Sequence, residues 1–120
     1  MHDWQEAEEH VARAEHLFAH GRGPEAERLL RQAIDIDPGR SEWHALLAMI
    51  LESLGRIEES LASMLQSAAL VAEDPRPRTA AAGLCMALQR WSEGLELVDR
   101  AIELGDPDER AYAIRITALH

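Results

Sequence analysis

Cysteine is almost absent from this chain. The single thiol, Cys85 among 120 residues, has no second cysteine to pair with, so an internal disulfide is excluded. It sits in "AAAGLCMAL", a stretch that reads as helix core, where a buried thiol is inert rather than nucleophilic. Long apolar runs are missing too: nothing approaches the roughly 18 residues that a membrane-spanning helix needs. The opening "MHDWQEAEEH" is acidic and polar, the opposite of a secretory leader. Basic residues are few, with 12 Lys and Arg against 22 Asp and Glu, for a formal net charge of −10. That balance argues against a nucleic-acid partner, which needs a basic face for its phosphates. It argues equally against docking on an anionic membrane. A cytoplasmic protein is the default expectation.

What is present is ordinary for one folded domain over residues 1–120: 47% hydrophobic and 28% charged residues, too apolar for disorder. The organisation is a repeat. Residues 55–68, "GRIEESLASMLQSA", echo residues 21–34, "GRGPEAERLLRQAI", at an offset of 34 positions. The same step aligns Ala14, Ala48 and Ala82, then Gly21, Gly55 and Gln89, then Arg22, Arg56 and Arg90. It also aligns Glu25, Glu59 and Glu93, then Ala26, Ser60 and Gly94, then Leu30, Met64 and Val98, then Ala33, Ser67 and Ala101.

Each unit reads as two helices. Asp3 and Glu6 form a capping-box pattern ahead of Val11, Ala14, Leu17 and Phe18, which recur at helical spacing. Gly21 stops this helix and Pro24 fits the first turn of the next, where a missing N–H costs nothing. Leu29, Leu30, Ala33, Ile34 and Ile36 supply the second stripe, and "DPGR" ends it. The second unit starts with Ser41 as a cap and breaks at Gly55. The two prolines of "EDPRPRT" delay the third unit's first helix to about Thr79. After Pro107, "DERAYAIRITALH" reads as one more helix, with Tyr112, Ile116 and Leu119 placed to cover the open end of the third unit.

A 34-residue helix-turn-helix with small residues at its eighth, twentieth and twenty-seventh positions and a proline near the thirty-second resembles the tetratricopeptide repeat. The matching residues are Ala14, Ala26, Ala33 and Pro38, then Ala48, Ser60 and Ser67, then Ala82, Gly94 and Ala101. The pattern departs at Ala72, where the proline is missing, at Pro107, displaced by one residue, and at His10 and His44, where tryptophan is common in the family. The resemblance covers residues 7 to 108. It implies an all-α, right-handed α-solenoid of three repeats, about 7–40, 41–74 and 75–108, closed by a C-terminal capping helix at about 109–120. Small residues let helices cross closely, and a single pair cannot bury its apolar face, so about three units are needed.

Signals for catalysis are weak. His16 and His20 stand at i, i+4, a spacing two metal ligands can use, but no third or fourth ligand is placed to join them, so two solvated or packing histidines near a helix end are expected. There is no His-Glu-x-x-His zinc motif, no phosphate-binding glycine loop, and no carboxylate pair whose pKa values would be driven apart. The expectation is a non-enzyme with no catalytic residues, metal or cofactor.

In the family the first helices of successive units line a concave groove. Position by position, the resemblance implies that the first unit presents Glu8, Val11, Glu15 and Phe18, and the second Glu42, Ala45, Met49 and Glu52. The third presents Arg76, Thr79, Gly83 and Met86, with Ile114 nearby. Phe18, Met49 and Met86 would make an apolar floor flanked by four carboxylates. Members that grip a chaperone's C-terminal carboxylate use lysine, asparagine and arginine at such positions. Val11 and Glu15 occupy two of them here, so that clamp is not expected. The expected partner is a protein or peptide with basic and apolar residues. The competing account makes the methionines core and the glutamates a solvated face. Trp43 is expected to pack on the preceding pair and Trp91 within its own repeat. Alternatives for function are a self-assembling homo-oligomer joined through Trp4, Tyr112, Ile116 and Leu119, a non-catalytic regulatory fragment, and a bacterial secretion chaperone.

Overall fold

The computed structural model describes residues 3–120, and among these the secondary structure is seven α-helices with no strand. They are α1 (Asp3–Ala19), α2 (Gly23–Ile36), α3 (Ser41–Ser53), α4 (Ile57–Leu70), α5 (Arg76–Ala87), α6 (Trp91–Glu103) and α7 (Glu109–Ala118). Each helix packs on the one before it, and α5 also touches α7, which gives an elongated α-solenoid of 48 × 27 × 19 Å. None of the described helices is long and apolar enough to cross a membrane.

The turns inside the three helix pairs share one construction. Gly21, Gly55 and Gln89 adopt left-handed φ values of 77°, 79° and 59°. The following arginine N–H then donates back to a carbonyl of the preceding helix: Arg22 to Leu17 at 2.8 Å, Arg56 to Leu51 at 2.9 Å and Arg90 to Cys85 at 2.8 Å. This closes the helix C-terminus and reverses the chain. Glycine takes that conformation freely, while Gln89 carries a Cβ into it.

Three helix starts differ from the sequence expectation. Helix α5 begins at Arg76 rather than Thr79, because Pro77 falls in the first turn, where no N–H is needed, and the Arg76 N–H donates to Asp74 Oδ1 at 3.0 Å. Ser41 is the first helical residue of α3, not its cap. Its hydroxyl instead donates to the Ser67 carbonyl at 3.1 Å and meets the Ser67 hydroxyl at 2.8 Å, tying α3 to the end of α4. Asp3 likewise lies inside α1, where it and Glu6 place negative charge in the first turn.

The nine small residues found at the repeat step are all buried where helices cross. The Ser60 hydroxyl donates to the Ala48 carbonyl at 2.6 Å, so its polarity is satisfied inside the α3–α4 contact. At Gly94 a Cβ would lie 3.2 Å from Met86 Sδ and 3.3 Å from Cys85 Cβ, which marks how close α5 and α6 approach. Burial also pushes the Cys85 thiol pKa up, as befits a core residue. Trp43 is buried among α1 and α2 residues, with the Arg40 guanidinium 4.5 Å from its ring centre.

Two expectations fail at the far end. Trp91 is 45% exposed rather than packed within its repeat. Helix α7 covers the third pair with Ala111 and Ile114, three residues apart on one face, which turns Tyr112, Ile116 and Leu119 outward.

Neighbouring pairs are also joined by charge. Glu27 on α2 accepts from Arg31 at 2.9 Å and from Arg56, in the next pair's turn, at 2.7 Å. Arg90 reaches Glu58 at 3.8 Å and Arg115 reaches Asp99 at 3.2 Å. Partial burial raises the Glu27 pKa, but hydrogen bonds and charge from Arg56 and Arg31 outweigh it, and the net shift is downward.

Two outcomes follow. Gln89→Gly relieves the left-handed Cβ and should stabilise the fold by about 1 kcal/mol, read as a rise of roughly 4 °C in Tm. Since Glu27 titrates below its ordinary value of 4.5 when folded, its ionised form stabilises the chain above that pH and the contribution is lost as pH falls through the folded value. Glu27→Gln should therefore lower stability in urea unfolding at neutral pH, and the difference from the parent should shrink as the pH drops into the acid range below the folded value.

Candidate functional site

Helices α3, α4 and α5 open on a shared cleft of about 440 Å³, with α7 at its edge. Its walls are Ala45 of α3, Met64 of α4 and Val71 just after it, and Pro77 and Ala80 of α5. The Ser41–Ser67 hydrogen bonds hold the two sides together at the base. Charged groups stand on the rim: Glu42, Asp74, Arg76 and Arg110.

These rim charges form a ladder at the repeat step. Glu8, Glu42, Arg76 and Arg110 occupy one position of successive first helices, and Arg40, Asp74 and Asp108 the position two residues earlier. Each pair closes on itself, and the sign inverts midway. Arg40 donates to Glu42 at 3.1 Å and lies 3.7 Å from Glu8 and 3.8 Å from Asp37. Arg76 donates to Asp74 at 2.7 Å, while Arg110 stands 3.8 Å from Asp108 and donates its N–H to that carboxylate at 2.9 Å. Glu42 is held below the usual carboxylate range by its own backbone N–H and by Arg40, and Asp74 by the Arg76 guanidinium. The groove therefore does not present four free glutamates. Glu8 and Glu42 are engaged by Arg40, whereas Glu15 and Glu52 are exposed and have no ion pair among the described residues.

Of the residues expected to line a groove, Glu42, Ala45 and Arg76 meet in the cleft. Met49, one turn beyond Ala45 on α3, is 53% exposed. Phe18 and Met86 are half-buried against the first and third core clusters, and Gly83 lies 3.8 Å, at its would-be Cβ, from Ile114. Two of the expected residues are buried. Val11 is buried in the first core cluster, which α1, α2 and α3 build together. Thr79 is buried too, and its hydroxyl donates to the buried carboxylate of Asp106, which also accepts the Asp108 N–H at 2.9 Å. Arg110 was missed although it lies one repeat step from Arg76, and Asp74 was missed because it lies in the "EDPRPRT" break. Met64, Ser67 and Val71 were missed because the groove was assigned to first helices alone. The His16 and His20 rings stack at 4.2 Å, His20 Nδ1 lies 2.8 Å from the His16 carbonyl, and no group of three metal-ligating side chains occurs among the described residues.

Residues 17–76 match the family model described as tetratricopeptide repeat. No curated protein sequence matches the chain. Among solved structures it is similar to the first tetratricopeptide repeat domain of Spaghetti (RPAP3) bound to an HSP90 peptide, with TM-score 0.87, 18% identity, and 97% of this chain and 92% of that one covered. It is similar to the TPR2B domain of yeast Sti1 in an Hsp70 complex, with TM-score 0.83, 18% identity, and 96% and 97% covered. It is also similar to the Yersinia enterocolitica type III secretion chaperone SycD in complex with a peptide of the translocator YopD, with TM-score 0.84, 16% identity, and 93% and 91% covered. At such identities the likeness establishes the fold.

Thr79→Val keeps the shape of the side chain but removes the hydroxyl donor from buried Asp106. It should cost about 1–3 kcal/mol in chemical denaturation, the range for leaving a buried acceptor short of a partner.

Proposed function

Since this chain belongs to the tetratricopeptide repeat family, we propose that it is a non-catalytic protein–protein interaction module, a scaffold or adaptor that holds a peptide-like segment on the face formed by its first helices. The observation that carries this reading is Met49. It is a long apolar side chain left 53% exposed, at the repeat-equivalent step to Glu15 and one turn before Glu52, and neither carboxylate is neutralised by an ion pair among the described residues. A methionine adapts to irregular apolar ligands, and the free carboxylates favour a basic neighbour, so the preferred segment has apolar and basic residues in alternation. The cleft beside Ala45 offers room for one apolar side chain of that segment. Similar structures described with HSP90, Hsp70 and translocator peptides support peptide binding as the general mode. A narrower version, a secretion chaperone, draws its support from the likeness to SycD alone.

The test is a panel of synthetic peptides that alternate leucine with arginine, glutamate or serine, titrated by fluorescence anisotropy. The parent should bind the arginine series tightest. Met49→Lys, a substitution at an exposed position that leaves the helical circular dichroism unchanged, should weaken it at least tenfold. Equal binding of the three series, or no loss in Met49→Lys, sinks the assignment.

A further inference from the structure

Of the nine large apolar side chains left exposed among the described residues, four sit at one end of the solenoid: Trp91, Tyr112, Ile116 and Leu119. Spacings of four and three place Tyr112, Ile116 and Leu119 in one stripe along α7, opposite the buried Ala111 and Ile114. They are 49%, 61% and 63% exposed. A second cleft of about 540 Å³ runs from Leu119 to Trp91. This surface is independent of the proposed binding groove, because Arg110, which edges the groove, stands on the other side of α7.

The residues indicate what does not cover the stripe. Ile116 lies one repeat step after Ala14, Ala48 and Ala82, the buried small residues at which each first helix is crossed by its partner. A branched side chain there keeps a following helix from crossing as closely as in the three pairs. Head-to-tail stacking on the opposite end is also disfavoured. In α3 and α5 the residues that face the preceding pair are Trp43, Leu47 and Ile50, and Pro77, Ala81 and Leu84, all buried. The equivalent positions of α1 are Glu9, Arg13 and His16, all exposed. An apolar stripe laid on those would bury charge without a partner.

We propose that α7 is the contact of a reversible two-fold dimer, with α7 of one copy laid antiparallel on α7 of a second copy. A two-fold contact sets a surface against itself, which a strongly acidic face resists. Residues 109–120 hold one Glu and two Arg, a net +1, so the rest of the chain carries −11 of the total −10, and two copies of α7 meet without the repulsion that the acidic remainder would bring. One ten-residue helix per copy falls short of the roughly 20–30 residues a side of a standard interface, which makes the dimer weak and reversible.

Sedimentation equilibrium from micromolar to millimolar concentration tests this. The apparent mass of the parent should rise from one chain toward two and no further. Ile116→Asp should hold it at one chain throughout, and Leu119→Asp, beyond the end of the helix where folding is not at risk, should do the same. Trp4→Asp, at the opposite end, should behave as the parent. A parent that stays at one chain, a mass that climbs past two, a dimer that survives both α7 variants, or one abolished by Trp4→Asp would each overturn the proposal.

Discussion

Everything in this molecule depends on how closely neighbouring helices can cross. Dispersion and apolar burial in a stack of paired helices are short-ranged, so a few tenths of an ångström at each crossing decide how well the surrounding leucines and isoleucines interlock. The chain secures that distance with alanine, serine or glycine at three places in each repeat, all of them buried. Where serine replaces alanine the hydroxyl must be satisfied within the contact, and Ser60 does so on the Ala48 carbonyl while Ser67 does so with Ser41. The crossing constraint therefore reaches the candidate site directly. The Ser41–Ser67 link that settles the α3–α4 approach is also the base of the cleft.

Electrostatics acts at a second level, between repeats rather than within them. Glu27 spans two pairs by accepting from both Arg31 and Arg56, and Arg40 gathers Glu8, Asp37 and Glu42 at the mouth of the groove. Such pairs at a half-exposed surface contribute modestly to stability. Their larger effect here is on what the groove displays. By engaging Glu8 and Glu42 they leave Glu15 and Glu52 as exposed first-helix carboxylates with no ion pair among the described residues. The inversion of sign along the ladder, from Glu8 and Glu42 to Arg76 and Arg110, also makes the two ends of the groove unlike.

The all-α solenoid, its helix pairs and its crossing residues were legible in the sequence because they repeat, and a repeat averages away the ambiguity of any one position. The 34-step recurrence of Ala14, Ala48 and Ala82 pointed to close helix crossings, while the left-handed backbone at Gln89, in register with Gly21 and Gly55, appears only in the structure. The failures lie where the repeat is broken. The prolines of "EDPRPRT" read as a delay, yet Pro77 fits the first turn of α5. The groove was harder still. Whether a first-helix position faces a partner or the core depends on a rotation of a few tens of degrees, and the sequence does not report it, so Val11 and Thr79 were assigned outward and are buried. The wall made by Met64 of α4 and by Val71 at its C-terminal end had no sequence signal, since apolar residues at helical spacing look alike whether they close a core or line a cleft.

The breaks in the repeat are also where the molecule acquires individuality. At the crossing positions a substitution changes the distance between helices and is felt through the whole stack, so those residues report the fold and little else. At α7 the chain departs from its own rule, with Ile116 where three alanines precede it and an apolar stripe turned to solvent. At α1 it departs in the other direction, with Glu9, Arg13 and His16 where later helices carry buried apolar residues. A solenoid made of equivalent units would have equivalent, mutually sticky ends and would polymerise. Making one end polar removes that route, and a bulky residue at the crossing position of the other end limits what can follow it. The asymmetry between α1 and α7 is thus a consequence of the same crossing rule that builds the interior.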